Sequence, residues 1–213
     1  MRNPTQLAAG PVTAAGTPEM LLDHYLPHYS VTLAEHAIVD ADVATTWRAL
    51  RELDLLQVHT PLLDAAFFVR GLPQKLATLF GRATPTEVPA RLTLSGDGGG
   101  LAGWLSLGQV PEREIVLGAV GRFWQPNIEW YDVTTMTPDE FAAFAEPGWG
   151  RIAAGLSLRP YGKDRTLVSY EARTAINDRT SARRFAWYWL IVSPFVAHVM
   201  RAVLTTLREN CSA

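Results

Sequence analysis

The longest helical pattern of the sequence spans residues 177–209, NDRTSARRFAWYWLIVSPFVAHVMRAVLTTLRE. Asn177 or Asp178 can cap a helix here, and about thirty helical residues would be about 45 Å long. Apolar residues recur every three or four positions, which predicts a side that packs on a sheet: Phe185, Trp189, Val192, Val196, Val199, Val203 and Leu207. A second apolar side also needs a cover: Trp187, Ile191, Phe195 and Leu204.

The same stretch raises the alternative of a transmembrane helix, because residues 185–200 carry no formal charge. This run is shorter than the roughly 20 residues that a bilayer requires, and Pro194 and His198 interrupt it. A helix enclosed by a sheet therefore explains the run better. An N-terminal helix, a second subunit or a membrane surface could cover the other apolar side.

The residues before this helix predict antiparallel strands, because no helical crossovers separate them. Residues 151–160 alternate in polarity, and a Tyr-Gly-Lys-Asp turn leads into a second strand, which indicates a hairpin. Strand composition predicts the remaining strands: 29–39, 88–94, 114–120, 122–133 and 165–175.

Start signals predict shorter helices along the chain. Thr17-Pro18 would begin one that Pro27 stops, and Asp40 would cap a helix over 41–53. Thr137 and Glu140 have capping-box spacing, which predicts a short helix carrying Phe141 and Phe144. Residues 62–70 also have a helical pattern, with another turn near 76–80.

Composition and charge limit the classes of function that are open to the chain. The chain has 213 residues, 48% of them hydrophobic and 19% charged, with a net charge of −2. We expect a disordered tail over 1–16 and one domain over 17–213. The charge balance argues against a nucleic-acid partner.

Cys211 is the only cysteine, so an intrachain disulfide is excluded, and we expect a cytoplasmic protein without metal or cofactor.

Several stretches resemble a known superfamily. EHAIVDADVATTWRALRELDL at 35–55, EIVLG at 114–118, GRFW at 121–124 and YEAR at 170–173 are similar to START-like proteins, the SRPBCC superfamily, in a poorly characterised bacterial branch. The resemblance implies an α+β helix-grip fold, in which an antiparallel sheet wraps a long C-terminal helix around a cavity. The superfamily includes lipid carriers, hormone receptors, polyketide cyclases and ring hydroxylase subunits, and its fold conveys no single reaction.

Three residues are candidates for proton transfer. Glu171 and Arg173 share one side of a predicted strand, and the imidazole of His36 would serve as a general base. The alternatives are an exposed ion pair on the convex side and a histidine with a structural hydrogen bond. The residues expected to bind a ligand are three charged residues and five aromatics, and the aromatic cluster could equally be core: Trp47, Arg122, Phe123, Trp124, Trp130, Glu171, Arg173 and Trp189.

The leading functional hypothesis is the binding or transport of a hydrophobic small molecule, such as a lipid or polyketide, between the sheet and the last helix. Residues 62–80 would form its lid. A polyketide cyclase or dehydratase using the same cavity is the first alternative, although no catalytic motif transfers from the superfamily. A module that contacts a membrane or a protein is the second alternative, and a homodimer also stays open.

Overall fold

The computed structural model describes residues 19–53, 103–125 and 127–212. The elements in chain order are α1 (Leu21–Tyr25), β1 (Val31–Val39), α2 (Val43–Glu52), β2 (Trp104–Val110), β3 (Glu114–Gly121), α3 (Pro138–Ala143), β4 (Gly150–Pro160), β5 (Thr166–Ile176) and α4 (Arg179–Ser212). The predictions for 1–16, 62–70, 76–80 and 88–94, and the proposed lid, lie outside the described residues.

The five described strands form one antiparallel sheet in the order β1-β5-β4-β3-β2. The α+β class and the antiparallel sheet are therefore confirmed. The predicted hairpin is β4 and β5, with Leu156 opposite Tyr170. Its turn contains Gly162 and Asp164 with positive φ angles of 67° and 60°. Glycine adopts this conformation without strain, and aspartate tolerates it better than most residues.

The long C-terminal helix is confirmed as α4, which packs mainly against β1 and β5 on one side of the sheet. We call this side the inner face. There α2 and the C-terminal half of α4 share a core with the sheet that includes Trp47, Val168 and Leu207. Leu204 is also buried in this core, so its predicted place on the uncovered side is wrong. Its position on the helix brings it against the sheet edge.

The opposite side of the sheet, the outer face, carries a second core. Here α1 and α3 pack over β2, β3 and β4, and Leu22, Val116 and Phe141 are buried. The centre of the sheet is thus covered on both faces. For this reason β3 is buried at almost every position, whereas β1, at the sheet edge, alternates between half-buried and exposed residues.

Two strand predictions need correction. The aromatic stretch 122–133 is not a strand, because only a single bridge joins Gly121 to Trp130 and the other described residues of the stretch are turn, bend or irregular. Turn residues after Arg122 end the ladder despite the favourable aromatic content. Conversely, β2 was not predicted, since glycines surround and interrupt its apolar residues. Gly108 has a φ of 144° beside a register shift in the β2–β3 pair.

Helix starts were predicted with mixed success. The Thr137 capping box is present: the Thr137 side chain accepts from the Glu140 N–H, and the Glu140 carboxylate accepts from the Thr137 N–H. Asp42 rather than Asp40 caps α2, and its carboxylate accepts a hydrogen bond from the Thr45 N–H. Both aspartates match the local pattern, and β1 continues to Val39, which leaves only the later one in capping position. Helix α1 starts at Leu21, later than Thr17 would have placed it.

Candidate functional site

Apolar side chains on the inner face of the sheet and on the sheet-facing side of α4 stay partly exposed. We call the set the inner groove: Leu33, Leu117, Ile152, Ala154 and Ala172 on the strands, and Trp189, Val192 and Val196 on α4. Strand register assigns the first five to one face, because paired residues point the same way.

Aromatic contacts bound one end of the inner groove. The ring of Phe185, which is buried at the start of α4, lies 6.4 Å from the ring of Trp124 and 5.8 Å from that of Trp189. Phe123 lies nearby, against Gly121 and Gly150. A Cβ on Gly150 would approach Ile176 Cδ1 to 2.6 Å, so the side chain of Ile176 would have to shift. The predicted aromatics Phe123, Trp124 and Trp189 therefore meet at this end.

The other end of the inner groove closes where the core begins. Tyr170, Phe195 and Val199 pack there against the buried residues shared by α2, α4 and the sheet. Burial raises the pKa of Tyr170, so its hydroxyl stays neutral through the physiological range. Ser193 lies one turn from Trp189 on the same side of the helix. The groove thus combines apolar walls with uncharged hydroxyl groups.

Three further residues were predicted to bind a ligand, and each has different contacts in the structure. Trp47 is buried in the core under α2. Arg122 stacks on Trp149 with its guanidinium carbon 4.4 Å from the ring centre, and it donates hydrogen bonds to the Gly148 carbonyl and the Glu129 carboxylate. Trp130 is 43% exposed and contacts Phe123 edge-on. Trp47 and Arg122 therefore lie away from the groove walls, whereas Trp130 lies against Phe123 at the groove end.

The candidates for proton transfer lie on the outer face. His36, Glu171 and Arg173 line an open cleft of about 600 Å³ beside α1, on the opposite side of the sheet from α4. His36 Nδ1 is 2.9 Å from Ser169 Oγ, and Ser157 lies next to Ser169 on β4. The structure therefore brings the three candidates together, but away from the space between the sheet and the last helix.

Arg173 has a set of partners that anchors α1 to the sheet. Its Nε donates to Glu171 at 2.6 Å and its Nη1 lies 2.8 Å from the Asp23 carboxylate. The guanidinium also sits 4.9 Å from the Tyr29 ring. Two carboxylates and an aromatic ring satisfy this buried cation, as burial of a charge requires. The pair thus lies on the face away from α4, but Arg173 is buried there, unlike in the alternative of an exposed ion pair.

Sequence reasoning missed Glu114, which is 1% exposed on the outer face. Its Oε2 accepts a hydrogen bond from the Leu21 N–H at 3.0 Å, and its Oε1 is 2.9 Å from Arg113. A glutamate inside an apolar strand pattern was the available signal, because a buried carboxylate needs partners. Its role is to hold the first turn of α1.

No protein-family model and no curated protein sequence matches the chain. Function is therefore inferred from the two faces of the sheet and from α4.

Proposed function

We propose that the chain binds a hydrophobic small molecule in the inner groove, as a helix-grip protein of the START-like kind. One observation carries the proposal. Apolar side chains on the inner face of β3 and β4, and others on the sheet-facing side of α4, stay partly exposed, although such residues normally pack closely. A ligand that filled this space would remove them from water, which favours binding by about 25 cal/mol per Å² of apolar surface.

Strand order supports the helix-grip part of the proposal. The first and last strands are neighbours, β1 beside β5, and the long helix returns across the inner face. This topology leaves the inner residues of β3 and β4 away from the helix axis, since α4 lies mainly along β1 and β5. A space between helix and central strands is the expected consequence.

The chemistry of the groove favours an uncharged, largely apolar ligand such as a lipid or polyketide. Tyr170 and Ser193 offer hydroxyl groups, and the ion pair of Arg201 and Glu35, with 2.9 Å between Nε and Oε1, lies at the β1 edge. His36, Glu171 and Arg173 all lie on the other face. We therefore propose binding or transport rather than proton transfer in this groove.

Native mass spectrometry of the purified protein, followed by organic extraction, tests the proposal. We expect an apolar molecule at near one per chain. Ala154→Trp fills the groove from β4 and should abolish the bound mass. The matched control is Ala34→Trp, which adds the same side chain to the exposed outer face of β1 and should leave binding intact.

Circular dichroism of both variants separates loss of binding from loss of folding. The proposal is contradicted if the wild type carries no apolar molecule and lipids or polyketides cause no thermal shift. It is contradicted equally if Ala154→Trp, while folded, retains the full amount of ligand.

A further inference from the structure

The outward side of α4 exposes large apolar side chains. Trp187, Leu190 and Ile191 are 75%, 68% and 81% exposed. Pro194, one turn further along, is also exposed. At 100° per residue these four positions fall on one side of the helix, opposite the buried Phe185. We call them the outward patch. Apolar clusters of this kind on a protein surface mark interaction sites.

Positive charge borders the outward patch. From Arg179 to Arg208 the helix carries five arginines and no acidic residue. Arg183 and Arg184 are exposed one turn before Trp187, and neither has an ion-pair partner among the described residues. Arg201, near the other end, is paired with Glu35. The helix therefore presents a patch of tryptophan and aliphatic residues beside unpaired guanidinium groups.

This combination matches an anionic lipid surface better than a second copy of the chain. Tryptophan favours the membrane interface, while arginine side chains reach lipid phosphates. A second copy seated on the outward patch would add further arginines to residues 179–208, which carry no carboxylate to pair with them. Like charges in contact oppose such an assembly.

The inward contacts of α4 indicate how it would meet the bilayer. By length and composition, α4 is long and apolar enough to cross a membrane, yet 33% of its most apolar stretch is buried within the protein. Phe185, Met200 and Leu207 are among the side chains that hold it to the sheet. With these contacts kept, the helix lies along the surface of a bilayer.

We propose that the outward side of α4 docks on anionic membranes, with Trp187, Leu190 and Ile191 inserted between lipid headgroups and Arg183 and Arg184 on their phosphates. This docking surface is separate from the inner groove, since it uses the opposite side of the helix. The inference therefore does not depend on the proposed ligand.

Flotation with vesicles tests the docking surface. The full chain should float with vesicles of mixed phosphatidylcholine and phosphatidylglycerol, bind phosphatidylcholine alone weakly, and release as salt is added. The double variant R183S/R184S should lower the partition coefficient roughly 10- to 30-fold. R183K/R184K should retain binding, because it keeps the charge. Arg165→Ser removes one exposed arginine from the distant β4–β5 turn and serves as control.

The apolar part is tested by W187S/I191S, which should lower binding at least about tenfold while leaving the fold unchanged by circular dichroism. Equal flotation of both double variants and the control would overturn the inference. A wild type that does not float, but forms a dimer that W187S/I191S dissociates in sedimentation, would instead assign the patch to a second copy.

Discussion

At the scale of single residues, Asp178 joins the start of α4 to the loop before β4. Its carboxylate accepts hydrogen bonds from the Ser181 N–H at 2.9 Å and the Gly148 N–H at 2.8 Å. The first caps α4 and the second fixes the loop before β4. These hydrogen bonds, led by that of Ser181, lower the pKa of Asp178 to about 2. The charged form is therefore favoured in the folded state.

We predict that Asp178→Asn lowers stability at neutral pH and loses that effect in acid. The folded pKa lies below the ordinary value of 3.8, so the stabilisation is fully present above that value. It disappears as the pH falls through about 2. The variant should reduce the midpoint of thermal unfolding by roughly 2–6 °C near neutral pH. Near the folded pKa the difference from wild type should shrink.

Thermal unfolding at several pH values measures this effect, with Asp40→Asn as the control. Asp40 is exposed, although the sequence suggested it as a cap. A pH-independent difference for Asp178→Asn would contradict the role of its charge.

Residue pairs were predictable from sequence only in part. The period of two in a strand puts Glu171 and Arg173 on one side, and their 2.6 Å contact confirms the pairing. Which face they occupy was not predictable, because both faces of this sheet are covered. Asp23 and Glu114, the partners that complete the outer face, come from distant parts of the chain. No local pattern connects them.

At the scale of elements, α1 depends on its neighbours. A helix of five residues has almost no stability of its own. Glu114 holds its first turn, Asp23 binds Arg173, and Leu22 lies flat on Gly155 of β4. A Cβ on Gly155 would lie 2.9 Å from Leu22 Cδ1 and 3.2 Å from Val116 Cγ2. The absence of a Cβ at Gly155 thus leaves the space that Leu22 of α1 occupies.

We predict that Gly155→Ala displaces α1 and destabilises the protein by about 1–3 kcal/mol. Hydrogen exchange should become faster at residues 21–26 while the centre of β4 stays protected. Ser157→Ala changes the same face two residues away without adding a Cβ, so it is the matched control. Unchanged exchange in α1 would show that Leu22 moves aside without loss of packing.

The elements that sequence predicted well have local causes. The Thr137 capping box and the long amphipathic pattern of α4 each lie in one continuous stretch. The stretch 122–133 was wrongly predicted as a strand. Its aromatic content favours a strand, but turn residues after Arg122 end the strand pairing there. The strand β2 was missed because glycines interrupt its apolar pattern. Pairing with β3, which the local sequence does not reveal, holds it as a strand.

At the scale of the whole molecule, one sheet serves two cores. Leu107 is buried in the outer core and Leu207 in the inner core, at 1% and 0% exposure. Neither core can persist without the sheet that both share. The fold should therefore lose both together.

We predict that Leu107→Ala and Leu207→Ala each destabilise the protein by about 2–5 kcal/mol. Because the sheet separates the two sites, the effects in the double variant should add within about 0.5 kcal/mol. Urea unfolding followed by far-ultraviolet circular dichroism and tryptophan fluorescence measures this. Each variant should unfold in one transition, and separate transitions for the two probes would contradict the shared sheet.

The net charge of −2 conceals a separation of charge. The five arginines of α4 lie on a single helix, whereas the remainder of the chain has an excess of acidic residues. Among the described residues, the molecule thus concentrates positive charge on α4. In the field of an anionic surface it would be turned before contact and arrive helix first. The charge distribution would thus set the orientation of the molecule as it approaches, whereas the contacts of the outward patch would set the affinity.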